Sequence, residues 1–167
     1  MMIIRLSNAL MARLKICSLT ALPPAASPLC DWAAHEFTFD RARYILAINS
    51  SSLLPMVFPA RGLVGGVAFL NCFASNLLQH HRNLELEDAF TRFIDPQLAC
   101  MEFSKVGNPS TTGGLNDLIK NLRANMAVSD RGLAWHSLNL GRIPMKSIKF
   151  HSPNEAHREL CGLRLEP

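Results

Sequence analysis

Arg43-Tyr44-Ile45-Leu46-Ala47-Ile48-Asn49 runs through Ser50-Ser51-Ser52 into Leu53-Leu54-Pro55-Met56-Val57-Phe58. The first run is apolar at successive positions, and therefore on both faces, which is the pattern of a central strand. The serines mark a turn. The second run is again apolar, but Pro55 lacks the N–H that an interior ladder requires, so this strand belongs at an edge or a bulge. Together they predict a β-hairpin.

Upstream, Met2-Ile3-Ile4-Arg5-Leu6 is a short strand signal. Ser7 then caps a brief helix whose Leu10 and Leu14 share a face. Pro23, Pro24 and Pro28 make residues 22–29 an extended loop, and Asp31 follows as the N-cap of a short helix carrying Trp32, His35 and Glu36. Downstream, Val67, Leu70, Ala74, Leu77 and Leu78 form a helical stripe. Leu86, Phe90, Phe93 and Ile94 repeat it until Asp95-Pro96 ends the helix. Met101 and Phe103 alternate as a further strand, and Leu115, Leu118, Ile119, Leu122 and Met126 form a third stripe. Near the end, Ser152-Pro153-Asn154-Glu155 is a capping box with proline at the first helical position, and Gly162 stands where that helix stops. Strands and helices in this order predict one α+β domain over 1–167, a small mixed or antiparallel sheet packed with amphipathic helices, with a loose tail at 163–167.

Composition agrees with a single packed core. Of 167 residues, 49% are hydrophobic and 18% charged, enough apolar material for one domain and too little charge for a disordered chain. The net charge of +4 allows an acidic partner, but the basic residues are scattered between acidic ones, so nucleic-acid binding is a weak second alternative. Five cysteines, odd in number and without a C-x-x-C pair, give neither a zinc ribbon nor a disulfide framework. Cys72 and Cys100 sit in apolar segments as small hydrophobes. The apolar run after Arg13 and Lys15 is short and ends in prolines, unlike a signal peptide, and no run approaches the ~20 apolar residues of a membrane span. The expected location is the cytoplasm.

Two arrangements carry chemistry. Asp31 and His35, four apart on a helix, would share a face, as a carboxylate orienting a general base requires; with Asp117 they make a weak catalytic candidate for a small hydrolase or nuclease. The simpler reading leaves Asp31 as a cap. The loop Asn108-Pro109-Ser110-Thr111-Thr112-Gly113-Gly114 opening a helix with Asn116 and Asp117 in its first turn is the second, because free N–H groups at a helix start attract anions. It lacks the P-loop lysine and fits no dinucleotide-binding pattern, so no cofactor is implied. Asp117 would also repel an anion there. His80 and His81 point to different helical faces. His151, Glu155 and His157 lack metal-ligand spacing, so no metal site is expected. Trp32 and Trp135 are more often core or rim than stacking platforms.

The ordered motifs Ile3-Ile4-Arg5-Leu6, Pro28-Leu29-Cys30-Asp31-Trp32 with Phe37, Arg41 with Tyr44-Ile45-Leu46 and Asn49, and Phe103-Ser104-Lys105 with Asn108, Ser110, Gly113 and Asn116-Asp117-Leu118 resemble an uncharacterised bacterial family of unknown function, over residues 2 to 157. That resemblance implies no activity, and it implies company with other domains. Two positions depart from the family pattern: Ala33 stands where a histidine follows the tryptophan, and Pro109 where an arginine follows the asparagine. The segments carrying the resemblance nominate Trp32, Arg41, Asn49, Ser110, Thr112, Gly113 and Asn116 for ligand or partner binding. The opposing reading makes Asn49 and Asn116 folding devices that satisfy buried backbone groups. The functional expectation is a non-catalytic binding or regulatory module with a protein partner.

Overall fold

A computed structural model describes residues 1–107 and 109–163, without the side chain of Ser110. Asn108, the side chain of Ser110 and the tail beyond Leu163 lie outside the described residues. The elements run β1 (Met2–Leu6), α1 (Asn8–Arg13), a 3₁₀ turn (Pro28–Cys30), β2 (Asp31–Phe39), β3 (Ala42–Asn49), β4 (Pro55–Pro59), α2 (Gly66–Asn83), α3 (Glu87–Ala89), a π-helical stretch (Phe90–Ile94), α4 (Asp95–Leu98), β5 (Met101–Lys105), α5 (Pro109–Val128), α6 (Leu133–Leu140), a second 3₁₀ turn (Lys146–Ile148) and α7 (Pro153–Leu160). The sheet is mixed, in the order β4-β3-β2-β1-β5. β1 lies parallel to both β2 and β5, whereas β2, β3 and β4 pair antiparallel. The chain is an α+β domain.

Because side chains alternate across a strand, the sheet presents two sets of residues, and each finds its own cover. Met2, Ile4, Leu6, Trp32, Ala34, Ile45, Ala47, Met56 and Phe58 pack under Leu10 of α1, Leu14 that caps its end, and Phe69, Phe73 and Leu77 of α2. On the other face Ala33, Phe37, Leu46, Ile48 and Val57 pack under Leu115, Leu118, Ile119 and Leu122 of α5 and Leu140 of α6. The result is three layers, helix on sheet on helix. Trp32 and Phe73 meet edge to face at 5.8 Å between ring centroids, an arrangement that stabilises by about 0.5–1.5 kcal/mol beyond burial.

β3 and β4 form the expected hairpin, with β4 at the edge. Its outward Val57 N–H donates to Ser137 Oγ at 3.0 Å, so α6 seals that edge against further pairing. At the C-terminus the capping box at Ser152 and Glu155 is present. Gly162 (φ +78°) then closes α7: its N–H donates to the Glu159 carbonyl, and the N–H of Leu163 to that of Arg158.

Five expectations are corrected. Residues 31–36 are the first two-thirds of β2, not a capped helix, because Ile3–Leu6 on one side and Ile45–Asn49 on the other supply a ladder that overrides a local cap signal. The buried stripe of α2 is Phe69, Phe73, Leu77, His80 and His81, while Val67 is 75% exposed; the aromatic rings, not the aliphatic positions, reach Trp32 and Phe58. Asp95-Pro96 does not end the helical run. A π-helical stretch precedes it, and Pro96 falls in the first turn of α4, where its missing N–H costs nothing. Thr112-Gly113-Gly114 is not a turn: α5 begins at Pro109, so both glycines are helical. A Cβ on Gly114 would stand 3.5 Å from Leu53, an ordinary contact, so α5 packs over the β3–β4 turn at a distance that would also admit alanine. Finally, Cys100 and Phe93 are exposed, and the buried cysteines are Cys30 and Cys161.

Candidate functional site

Three polar constellations stand out, and the state of their hydrogen bonds separates them. The first is a clamp. Arg5 on β1 meets Asp31 at the start of β2 in a two-pronged pair, Nε to Oδ1 and Nη2 to Oδ2, both 2.8 Å. Arg5 also donates to the carbonyls of Leu22 and Pro23 and to Ser104 Oγ, while Asp31 accepts from Ser50 Oγ and the Ala25 N–H. Burial pushes the Asp31 carboxyl up, but the bonds from Arg5, Ala25 and Ser50 outweigh it and hold it below the usual carboxylate range. Every donor of the guanidinium and all four acceptor sites of the carboxylate are engaged. Although a cavity of about 430 Å³ opens beside this pair, the pair has nothing left to offer a ligand. It fastens the proline-rich loop and the Ser50 turn to the sheet.

The second is a buried relay. His157 of α7, wholly buried against Trp32, has Nδ1 2.9 Å from Ser52 Oγ and Nε2 3.1 Å from His81 Nε2, and His81 Nδ1 lies 2.8 Å from the Leu77 carbonyl. A carbonyl only accepts, which fixes the direction of the chain. His81 donates from Nδ1, so its Nε2 accepts from His157 Nε2–H, and His157 Nδ1 accepts from the Ser52 hydroxyl. Both rings are thereby neutral. Burial lowers the His81 pKa to about 4 and that of His157 well below its ordinary value. A serine and histidine in contact invoke a nucleophile and its base, but Ser52 is 1% exposed and His157 not at all, so no substrate reaches them.

The third constellation is uncommitted. β1 leads into α1 on one face of the sheet, and its parallel neighbour β5 leads into α5 on the other. Where successive helices depart to opposite faces, the carboxyl ends of two parallel strands leave a crevice, the usual ligand position in open α/β sheets. A cavity of about 310 Å³ lies there, lined by Ser7, Asn8, His35, Lys105, Thr112 and Asn116 with Leu6, Ala9, Val106 and Leu115. Ser7 is spent on capping α1. The side chains of Asn8, His35, Lys105 and Asn116 have no hydrogen-bond partner among the described residues. Lys105 is the single full charge in this lining, and burial lowers the pKa of His35, helped by Arg123 and opposed by Glu36.

The residues nominated by sequence are mostly not brought together. Asp31 lines the cavity of the clamp, His35 the crevice, and Asp117 a separate depression with Lys120, Asn121 and Met145. As a strand, β2 places residues 31 and 35 on one face but ~13 Å apart. No acid–base pair forms. Trp32 is fully buried with Nε1 donating to the Leu29 carbonyl. Arg41 is exposed in the β2–β3 turn, where Asp40 and Arg41 both have positive φ, a two-residue hairpin turn remote from the crevice in the register of β2. Asn49 is a folding device: Nδ2 donates to the carbonyls of Pro28 and Asp31, and Oδ1 accepts from the N–H groups of Ser51 and Ser52. Asn116, expected to do the same, is exposed at the crevice. Gly113 is an exposed helical position. Of that set, His35, Thr112 and Asn116 converge.

Sequence reading missed Asn8 and Lys105. The signal was present, since both follow or close a strand that runs into a helix, but it needed β1 and β5 recognised as parallel neighbours.

Against known proteins, the chain matches a family described as a domain of unknown function over residues 3–156. It belongs to the DUF6933 family. The match takes in β1 from Ile3, the other four strands and the residues lining the crevice, so the site lies within the matched domain. Neither a curated protein nor a solved structure gives a significant match. Among the described residues of this DUF6933 domain, no group of three or more His, Cys, Asp or Glu is placed to hold a metal, and no helix is long and apolar enough to cross a membrane.

Proposed function

We propose that this domain is a non-catalytic binding module that takes a small polar ligand in the crevice at the carboxyl ends of β1 and β5. One contrast carries the reading: the Arg5–Asp31 and Ser52–His157–His81 groups have their hydrogen bonds filled from within the protein, whereas Asn8, His35, Lys105 and Asn116 face a cavity with theirs open. Polar groups held in a half-sheltered cavity with no internal partner are what a ligand site needs before the ligand arrives. The cavity falls at the lower end of the ~300–1,000 Å³ typical of small-molecule sites. All five cysteines are free, which supports a reducing compartment, and the proposal places the module in the cytoplasm. A protein partner would then read the occupied state.

The test is ligand-observed NMR against mixtures of small polar metabolites, with the wild type and an Asn116→Trp variant whose indole fills the cavity from an exposed helical position. Binding by the wild type that disappears in the variant is the expected result. Failure to detect any bound metabolite, or binding that survives the blockade, overturns the site.

A further inference from the structure

The crevice has a charge pattern that narrows its ligand. Its lining contains Lys105 and no carboxylate. His35, about half buried, presents two ring nitrogens without a hydrogen-bond partner among the described residues, and Arg123 of α5 adds a second positive charge acting on that ring. Glu36, the acidic group that acts on that ring, raises its pKa against burial, but its carboxylate is turned to the opposite face of β2, where Arg13 and Arg43 pair with it at 3.1 and 3.2 Å. Asp117, one residue from Asn116, lines a different depression. The amino-terminal turn of the 20-residue α5 reaches the cavity at Thr112, which adds the positive end of the helix dipole.

Resting on the crevice being the binding site, we propose that its ligand is anionic, and that a carboxylate or phosphate group of a small metabolite seats between Lys105 and the imidazole of His35. The remaining partners are neutral, the amides of Asn8 and Asn116, which suit the uncharged hydroxyl or carbonyl groups of the same molecule. Carboxylate and phosphate share the chemistry that this pair recognises: oxygen acceptors carrying negative charge. With the crevice empty, burial, helped by Arg123 and opposed by Glu36, holds the His35 ring neutral, and a seated anion beside it favours the charged form. The ring then takes a proton from solvent and becomes a second cationic donor. Binding is therefore coupled to proton uptake at one residue.

Sulfate is the probe, because its charge stays constant from about pH 6 to about pH 8 while histidine titrates across that range. Backbone and histidine-ring NMR of the full chain should show sulfate perturbing Ser7, Asn8, His35 and Lys105, with the His35 ring titrating at higher pH when sulfate is present. Affinity should fall at least about threefold from pH 6 to pH 8, and about fivefold in Lys105→Ala, the scale of one partly exposed charge contact. His35→Asn should bind with no pH dependence. Acetate in place of sulfate distinguishes a preference for carboxylate from one for phosphate-like anions. If acetamide perturbs the same crevice resonances and sulfate and acetate do not, the binding site stands and the anionic ligand is overturned. If none of the three perturbs them, both fall. Sulfate shifts that are indifferent to Lys105→Ala, His35→Asn and pH mark an adventitious ion only, and also overturn the proposal.

Discussion

Acidifying the protein from about pH 7.5 to about pH 5.5 should destabilise it chiefly through three deeply buried histidines, with half-buried His35 adding in the same direction. In the folded chain His80 and His81 have pKa values lowered to about 3 and about 4, and His157 is lowered well below 6.5, in each case chiefly because burial disfavours the charged ring. In the unfolded chain all three titrate near 6.5. Below that value the unfolded state binds protons that the folded state refuses, so stability is full above about pH 6.5 and is lost as the pH falls toward the folded-state values. One pH unit below 6.5, each such histidine costs about 1.4 kcal/mol, and three cost about 4 kcal/mol. The carboxylates do not interfere in this window. Asp31 and Glu155, whose pKa values are lowered, contribute stability that is lost only as the pH falls through the ordinary carboxylate range and below.

Against a typical stability of about 5–15 kcal/mol, that loss is large. For a chain of this size it corresponds to a fall in melting temperature of roughly 8–16 °C, which circular dichroism or calorimetry resolves easily. His157→Phe supplies the internal control. It removes the donor to His81 Nε2, which costs about 1–3 kcal/mol at neutral pH, but Ser52 retains Asn49 Oδ1 at 3.1 Å as an alternative acceptor. One of the three deeply buried titrating groups is then gone, so the pH dependence should shrink by about a third. Equal melting temperatures at both pH values would refute the neutral relay. An undiminished slope in His157→Phe would show that the protons bind elsewhere.

Other substitutions separate fastened from open polar groups. Asn49→Ala should destabilise by about 3 kcal/mol in urea titration, because two carbonyls and two N–H groups, buried or half-buried, lose their partner together. Asn116→Ala should shift stability by less than about 0.5 kcal/mol, since the side chain is exposed and unbonded to the described residues; a larger loss would restore its structural reading. Asp31→Asn leaves Arg5 without its countercharge and should cost about 3 kcal/mol, with proteolysis appearing first in the loop at 20–25 that the clamp holds.

The hairpin, the amino-terminal strand and its capped helix, the third helical stripe and the final capping box were all legible because each rests on a local pattern: alternation, a cap, or 3.6-residue spacing. Residues 31–36 were not. Asp31 before Trp32 and His35 is a good cap by local criteria, and what makes it a strand is pairing with Ile3–Leu6, nearly thirty residues away. The same pairing moved the proposed dyad apart. Gly113-Gly114 looked like a turn because glycine is costly inside a helix. A 20-residue helix buried along Leu115, Leu118, Ile119 and Leu122 overcomes that cost. The crevice was invisible for a related reason: its residues come from both ends of the chain, and only the parallel pairing of β1 with β5 joins them.

The two departures from the resembled pattern gain meaning from where they fall. Ala33 is fully buried under α5, on the face that also carries Asp31 and His35. A histidine there would displace core packing on that face rather than extend the lining of the crevice, which does not include residue 33. Pro109 is the first residue of α5, a position where proline's fixed φ suits the helix and its missing N–H would be unpaired anyway. An arginine at that position would have added a cation at the amino end of α5, close to Thr111 and Thr112. With proline there, Lys105 is the one full charge in the lining, so the proposed anion site has Lys105 as its permanent cation and His35 as the cation that binding would create.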